Sequence, residues 1–122
     1  MSVTINVNVS GVEEFTNAIE RFDSAMRSRV QKQLAGWGES VKADAERLVP
    51  VRTGYLQSTI YAKSQQWQIE VGAQASYAAA VEFGTKNAQA KPFLQPAVET
   101  YLPSLERVLL DAVESAKLEA GL

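Results

Sequence analysis

The chain is 122 residues long, 46% hydrophobic and 21% charged, with a net charge of −2; this fits one globular domain (1–122) with a modest core and argues against broad nucleic-acid coating. It has no histidine and no cysteine, which removes the commonest general base, the commonest transition-metal ligand, disulfides and thiolate chemistry together. No apolar run approaches the ~20 residues needed to cross a bilayer.

Met1 to Ile5 lacks the basic and apolar regions of a signal peptide, so synthesis and residence in a cytoplasm are expected. Val3, Ile5, Val7 and Val9 alternate with Thr4, Asn6, Asn8 and Ser10, the period of a half-buried strand. Gly11 breaks it, and Ser10 with Glu13 makes a capping box that predicts a helix from near Val12. Val12, Phe15, Ile19, Phe22, Met26, Val30, Leu34, Trp37, Val41, Ala45 and Leu48 then recur at steps of three and four. Unbroken, this stripe gives a helix roughly 55 Å long at ~1.5 Å per residue, so a break or bend is expected at Asp23-Ser24, a possible second cap. Gly36 and Gly38 flank Trp37 and either admit another backbone or bend the helix.

Pro50 ends the helix and Thr53-Gly54 supplies a turn. Leu56, Ser58, Ile60 and Ala62 then share one face of a predicted strand, with Tyr55, Gln57, Thr59, Tyr61 and Lys63 on the other. After a polar turn at Ser64-Gln65-Gln66, Trp67, Ile69 and Val71 mark the returning strand of an antiparallel hairpin that ends at Gly72. Ser76 is positioned to cap a short helix, Tyr77 to Phe83, that stops at Gly84. Thr85 to Lys91 has almost no large apolar side chain and reads as a mobile loop. Pro92 or Pro96 suits the first turn of a last helix with Leu94, Val98, Tyr101, Leu105, Val108 or Leu109, Ala112 and Ala116 on its buried face; Pro103 should kink or divide it. The expected fold is α+β: an antiparallel sheet, formed by the N-terminal strand and the hairpin, packed on one face by a long N-terminal helix and a C-terminal helix.

No spacing names a reaction. Glu13 with Glu14 and Asp44 with Glu46 are acidic neighbours that point apart on a helix, and a serine or threonine nucleophile has no histidine to activate it. Gly72 and Gly84 form no phosphate-binding loop. Arg21, Arg27, Arg29, Lys32, Lys42, Arg47 and Arg52 form a basic stretch, but Asp23, Glu39, Asp44 and Glu46 interleave with them, the pattern of a salt-bridged helix surface. Trp37 and Trp67 fall on predicted core faces. Tyr55 and Tyr61 fall on the opposite sheet face, which a partner would cover if this chain does not. No catalytic residue, metal site or cofactor is expected.

Two motifs carry a resemblance. Leu48-Val49-Pro50-Val51-Arg52-Thr53-Gly54-Tyr55-Leu56, followed by Ser58 and Ile60, is similar to a segment of the small tail-completion, or neck (head–tail joining), proteins of long-tailed bacteriophages. Val71-Gly72, Tyr77-Ala78, Val81-Glu82-Phe83-Gly84-Thr85 and Pro92-Phe93-Leu94-Gln95-Pro96-Ala97 resemble a second segment of the same family, in the same order and spacing. The match covers about residues 11 to 115. Arg52 stands where an acidic residue is common, Gln95 where arginine is common, and Pro103 is an added interruption. The structural motif residues are Pro50, Gly54, Leu56, Tyr77, Phe83, Gly84, Pro92, Phe93 and Pro96.

The resemblance implies an α+β fold, no enzymatic activity and a place in the virion neck after assembly in the host cytoplasm. Such proteins form rings, commonly hexameric, between head-connector and tail-terminator or tail-tube proteins, around a channel through which phage DNA passes without specific binding; no membrane is involved. The expected subunit or partner contacts are Arg52, Thr53, Tyr55, Tyr61, Thr85, Lys86, Asn87, Gln89 and Lys91. Other virion roles (tail terminator, head closure, minor tail protein) and, more remotely, a prophage nucleic-acid-binding regulator are the competing readings.

Overall fold

A computed structural model describes residues 1–6, 24–65 and 68–119. The Ser10–Glu13 capping box, the apolar stripe from Val12 to Phe22, the break expected at Asp23 and the core position expected for Trp67 lie outside the described residues. From Ser24 onward the three-and-four spacing gives helix α1 (Ser24–Leu48). It buries Val30, Leu34, Trp37, Val41 and Ala45, with Val49 continuing the stripe beyond its end. Pro50 follows and restricts Val49, which stops the helix where expected.

Strands β1 (Ser2–Asn6), β2 (Ile60–Gln65) and β3 (Gln68–Ala73) form one antiparallel sheet in the order β1-β3-β2. The N-terminal strand and the hairpin thus share a sheet, as expected. Val3 lies opposite Val71 and Ile5 opposite Ile69 on one side of β3; Ile60 lies opposite Ala73 and Ala62 opposite Val71 on the other. Ile60, Ile69, Val71 and Ala73 are buried, whereas Lys63, Ser64 and Gln65 at the far end of β2 are exposed. Ser64 and Gln65, expected in the polar turn, belong to β2 instead.

Helix α1 is the middle layer. The sheet packs on one side of it, and the last helix packs against it as well. The contact with the sheet is close at Gly38, where an added Cβ would overlap Ile69 Cδ1 and lie 2.9 Å from Ile69 Cγ1. Gly36, two residues away, faces open space. One glycine therefore lets helix and sheet approach, and the other has no steric duty.

A four-residue helical turn, α2 (Tyr55–Ser58), stands where a strand was expected. The alternation of Leu56, Ser58, Ile60 and Ala62 is a strand pattern only from Ile60 onward. Gly54, at φ 84°, reverses the chain, and the Ser58 N–H donates to the Gly54 carbonyl at 3.0 Å, closing a helical turn. The Ser58 and Thr59 hydroxyls also donate to the Tyr55 and Leu56 carbonyls, at 2.6 and 2.8 Å. Local hydroxyl-to-backbone bonds of this kind compete with a strand ladder. Tyr55 and Tyr61 consequently do not share a strand face.

The short helix α3 (Ala78–Phe83) stops at Gly84, as expected, but Ser76 does not cap it: Tyr77 occupies the N-cap with no side-chain hydrogen bond. The last helix, α4 (Leu94–Glu119), begins between the two prolines proposed for its first turn, so Pro96 alone sits inside that turn. Leu94, Ala97, Val98, Leu105 and Ala112 are buried, and Tyr101 and Leu109 pack on the core half-buried. α4 runs through Pro103 as one helix instead of two. Pro103 cannot donate to the carbonyl four residues back. Two side chains donate in the neighbouring turn: Trp37 Nε1 at 2.9 Å and Ser104 Oγ at 2.7 Å, both to the Tyr101 carbonyl. Trp37 thus packs in the core, as expected, and also ties α1 to α4.

The two glycines of α1 make opposite predictions. Gly36→Ala gains helix propensity without a clash and should stabilise the fold by about 0.5–1 kcal/mol. Gly38→Ala meets the buried Ile69 side chain and should destabilise it by about 1–2 kcal/mol, the overpacking cost outweighing the propensity gain. Urea midpoints of the two variants measure both signs.

Candidate assembly interface

The Pro50–Leu56 turn is held from three directions. Thr53 Oγ1 accepts the Tyr55 N–H at 3.3 Å, which orders the tip. Gln57 Nε2 donates to the Glu46 carbonyl at 2.9 Å, which binds α2 to the end of α1. Thr59 joins the turn to the segment after β3: its Oγ1 accepts the Ala75 N–H at 3.2 Å, and its carbonyl accepts the Gln74 N–H at 3.2 Å. Leu56 fills the core beneath. Arg52, Thr53 and Tyr55 are thereby presented outward on a fixed support.

Sequence reading missed the residue that organises the other half. Glu82, on α3, is only 3% exposed. Its Oε1 accepts the N–H groups of Phe93 and Leu94 at 3.2 and 2.8 Å, and its Oε2 accepts that of Gln95 at 3.3 Å. These donors lie at the start of α4, where helical N–H groups have no partner within the helix. A carboxylate there also faces the positive end of the helix dipole. Glu82 is thus an N-cap supplied from eleven to thirteen residues away. Its neighbour Phe83 is 67% exposed, the reverse of what hydropathy suggests. No local pattern announces such a cap; the one available signal is a lone acid among the small and apolar residues Ala78, Ala79, Ala80 and Val81.

Between α3 and α4 the chain returns on itself. Gly84, at φ 79°, has the Ala90 amide nitrogen 2.7 Å and the Ala88 carbonyl oxygen 3.0 Å from where a Cβ would stand. The Thr85 N–H donates to the Ala88 carbonyl at 2.8 Å, the Ala88 N–H back to the Thr85 carbonyl at 3.3 Å, and Thr85 Oγ1 accepts the Asn87 N–H at 3.3 Å. The Lys91 N–H donates to the Val81 carbonyl at 2.8 Å. The segment expected to be a mobile loop is exposed throughout but carries its own turn and is tied to α3 at both ends.

The two motifs meet in space. Pro50, Arg52, Thr53, Gly54 and Leu56 from the first, and Tyr77, Val81 and Thr85 from the second, line a groove of about 700 Å³, together with Ala80, Ala88, Gln89 and Lys91. Arg52, Thr53, Thr85, Gln89 and Lys91, all expected contact residues, thus share one site. Tyr55 stands beside it, its ring 6.3 Å from that of Tyr77. Lys86 and Asn87 are exposed on the adjoining turn without lining the groove. Tyr61 lies apart, half-buried on β2 opposite Gly72. The groove lining contains two cations, no carboxylate and an apolar floor. Among the described residues of the basic stretch, Arg47 pairs with Asp44 at 2.8 Å, as a salt-bridged helix surface requires. No described helix is long and apolar enough to cross a membrane.

Residues 13–84 match a family model described as "Bacteriophage HK97-gp10, putative tail-component". The match spans more than half of the chain and includes the first motif and the second as far as Gly84; the chain belongs to this family. It is therefore a bacteriophage tail-component chain, a structural protein of the virion that associates with other phage structural proteins. No curated protein and no solved structure matches it.

Glu82 gives this site a stability test. Glu82→Ala leaves the buried Phe93 and Leu94 N–H groups without their acceptor, whereas the Gln95 N–H is only part-buried, and should cost about 2 kcal/mol or more, at about 1–3 kcal/mol per unsatisfied buried group. Glu82→Gln keeps one acceptor oxygen but turns an amide NH2 toward the Gln95 N–H, and should lose about half as much. Chemical denaturation of the three proteins ranks them.

Proposed function

We propose that this chain is a tail-completion, or neck, subunit that joins the DNA-filled head to the tail, assembling as a ring, of six copies in similar proteins, between the head connector and the tail-terminator or tail-tube proteins. The observation that carries the reading is the convergence of the two motifs. Twenty residues, the hairpin among them, lie between Leu56 and Tyr77 in the chain, yet both motifs line one exposed groove. A groove with a hydrophobic floor and charged rim, set on tied-down turns, suits association between proteins. A repeated head-to-tail contact of this sort closes into a ring when its rotation closes.

The same site supports a role without catalysis. Its polar side chains are Arg52, Thr53, Tyr77, Thr85, Gln89 and Lys91, and the chain has no histidine or cysteine to act as base or nucleophile. DNA passes through the ring without being held specifically, and assembly takes place in the host cytoplasm.

Removing the gene from its phage tests the reading. Filled heads and complete tails should accumulate unjoined, as seen by electron microscopy of the lysate. Normal infectious particles would overturn the proposal; tails of uncontrolled length would move the chain to a terminator role.

A further inference from the structure

The outer side of α4 carries a pattern that the groove does not use. Leu102, Glu106, Leu110, Glu114 and Leu118 follow one another at intervals of four, and all five are exposed, the leucines by 46%, 51% and 80%. Residues four apart form one ridge on a helix surface. This ridge is ~24 Å long at ~1.5 Å per residue and alternates apolar knobs with acidic intervals. Asp111 is exposed beside it, and Arg107 is the one exposed cation of α4 among the side chains described there. Two such ridges laid together set carboxylates against carboxylates in register and against leucines when shifted by one step, so neither pairing satisfies the acids, and a surface of opposite charge does.

The groove is that surface. Arg52 and Lys91 line it, and neither makes an ion pair among the described residues. Leu56, Ala80 and Val81 give apolar walls, with Tyr77 beside them. Charge and hydropathy of groove and ridge are complementary. The groove lies at the N-terminal end of α4, because Lys91 is bonded to Val81 and Glu82 caps the first turn of α4. The ridge runs away from that end along a single helix, and Leu118 is roughly 36 Å beyond Leu94. A chain therefore cannot seat its own ridge in its own groove, whereas a second copy can.

We propose that the Leu102–Leu118 ridge of one copy docks in the Arg52–Lys91 groove of the next, forming the heterologous contact of the assembled ring. The inference rests on the ring reading above and names its interface. Unlike an isologous contact, it leaves a free groove and a free ridge on every open assembly, so growth continues until closure.

Charge exchange tests it in the full chain by sedimentation velocity. Reversing the groove (Arg52→Glu with Lys91→Glu) or the ridge (Glu106→Lys with Glu114→Lys) should weaken self-association by roughly tenfold or more, the effect of like charges facing across an interface. Thermal melts should stay close to the parent, because all four residues are exposed. Mixing the two variants should restore assembly, since each reversed surface then meets its complement. The chain carrying all four reversals should assemble alone. Because the chain has no cysteine, Thr53→Cys and Leu110→Cys should cross-link to each other and neither to itself. Single reversals that assemble like the parent, a mixture that stays dissociated, like-to-like cross-links, or a parent that is monomeric at its highest soluble concentration would each overturn this contact. The head–tail reading would remain to be decided by gene removal.

Discussion

The Glu82 carboxylate is the constraint on which the groove depends. It joins α3 to the first turn of α4 through three N–H donors. Because α4 is capped from α3, the intervening segment must close as a short return, and Gly84 and the Thr85–Ala88 turn make that return possible. Phe93 and Leu94, the residues whose amides are bound, are themselves buried and anchor the start of the helix in the core. An apolar residue at position 82 would leave those amides unmatched, and the far end of the return would then be held to α3 by the Lys91–Val81 backbone bond. A buried acid that accepts three hydrogen bonds offsets its desolvation by removing orphan donors that would otherwise carry their own cost.

The second support is α1. It contacts the sheet closely because Gly38 has no side chain, and it holds α4 through Trp37 as well as through apolar packing. The turn after α1 is in turn fixed by Gln57, bonded to the Glu46 carbonyl, and by Thr59, bonded to the start of the next segment. The two motifs are therefore brought together by elements outside the groove: the hairpin spaces them in sequence, and the core beneath Leu56 and Ala78 joins them in space. Both halves of the groove rest on hydrogen-bonded backbone, and its polar side chains project from that support.

Much of this was legible along the chain. Three-and-four spacing from Val30 to Ala45 named the buried face of α1, alternation at Ile69 and Val71 named the core side of β3, and Gly84 stopped α3. That Arg52, Thr53, Thr85, Gln89 and Lys91 come together in one groove is a matter of tertiary placement, which the spacing of the two motifs does not give. What periodicity misread was local hydrogen-bond competition: Ser58 and Thr59 turn a strand-like alternation into a helical turn. Ser76 had the right chemistry for a cap, but no side-chain cap bond forms at that end of α3. Glu82 was invisible as a cap because its partners lie beyond a loop, and a sequence pattern cannot show which distant amides a side chain will reach. Tyr61 shares no strand with Tyr55, because β2 begins only at Ile60 and Tyr55 starts the helical turn before it.

Family membership makes this a phage structural chain; that its groove and C-terminal helix are surfaces for assembly is our proposal, built on the convergence of the two motifs. The most direct measurement is an electron cryomicroscopy reconstruction of the intact particle, detailed enough to place this chain. The account predicts a closed ring at the head–tail junction, with the Arg52–Lys91 groove of each copy occupied by its neighbour. Density for the chain at the tail tip, or a junction ring whose grooves face solvent, would contradict it.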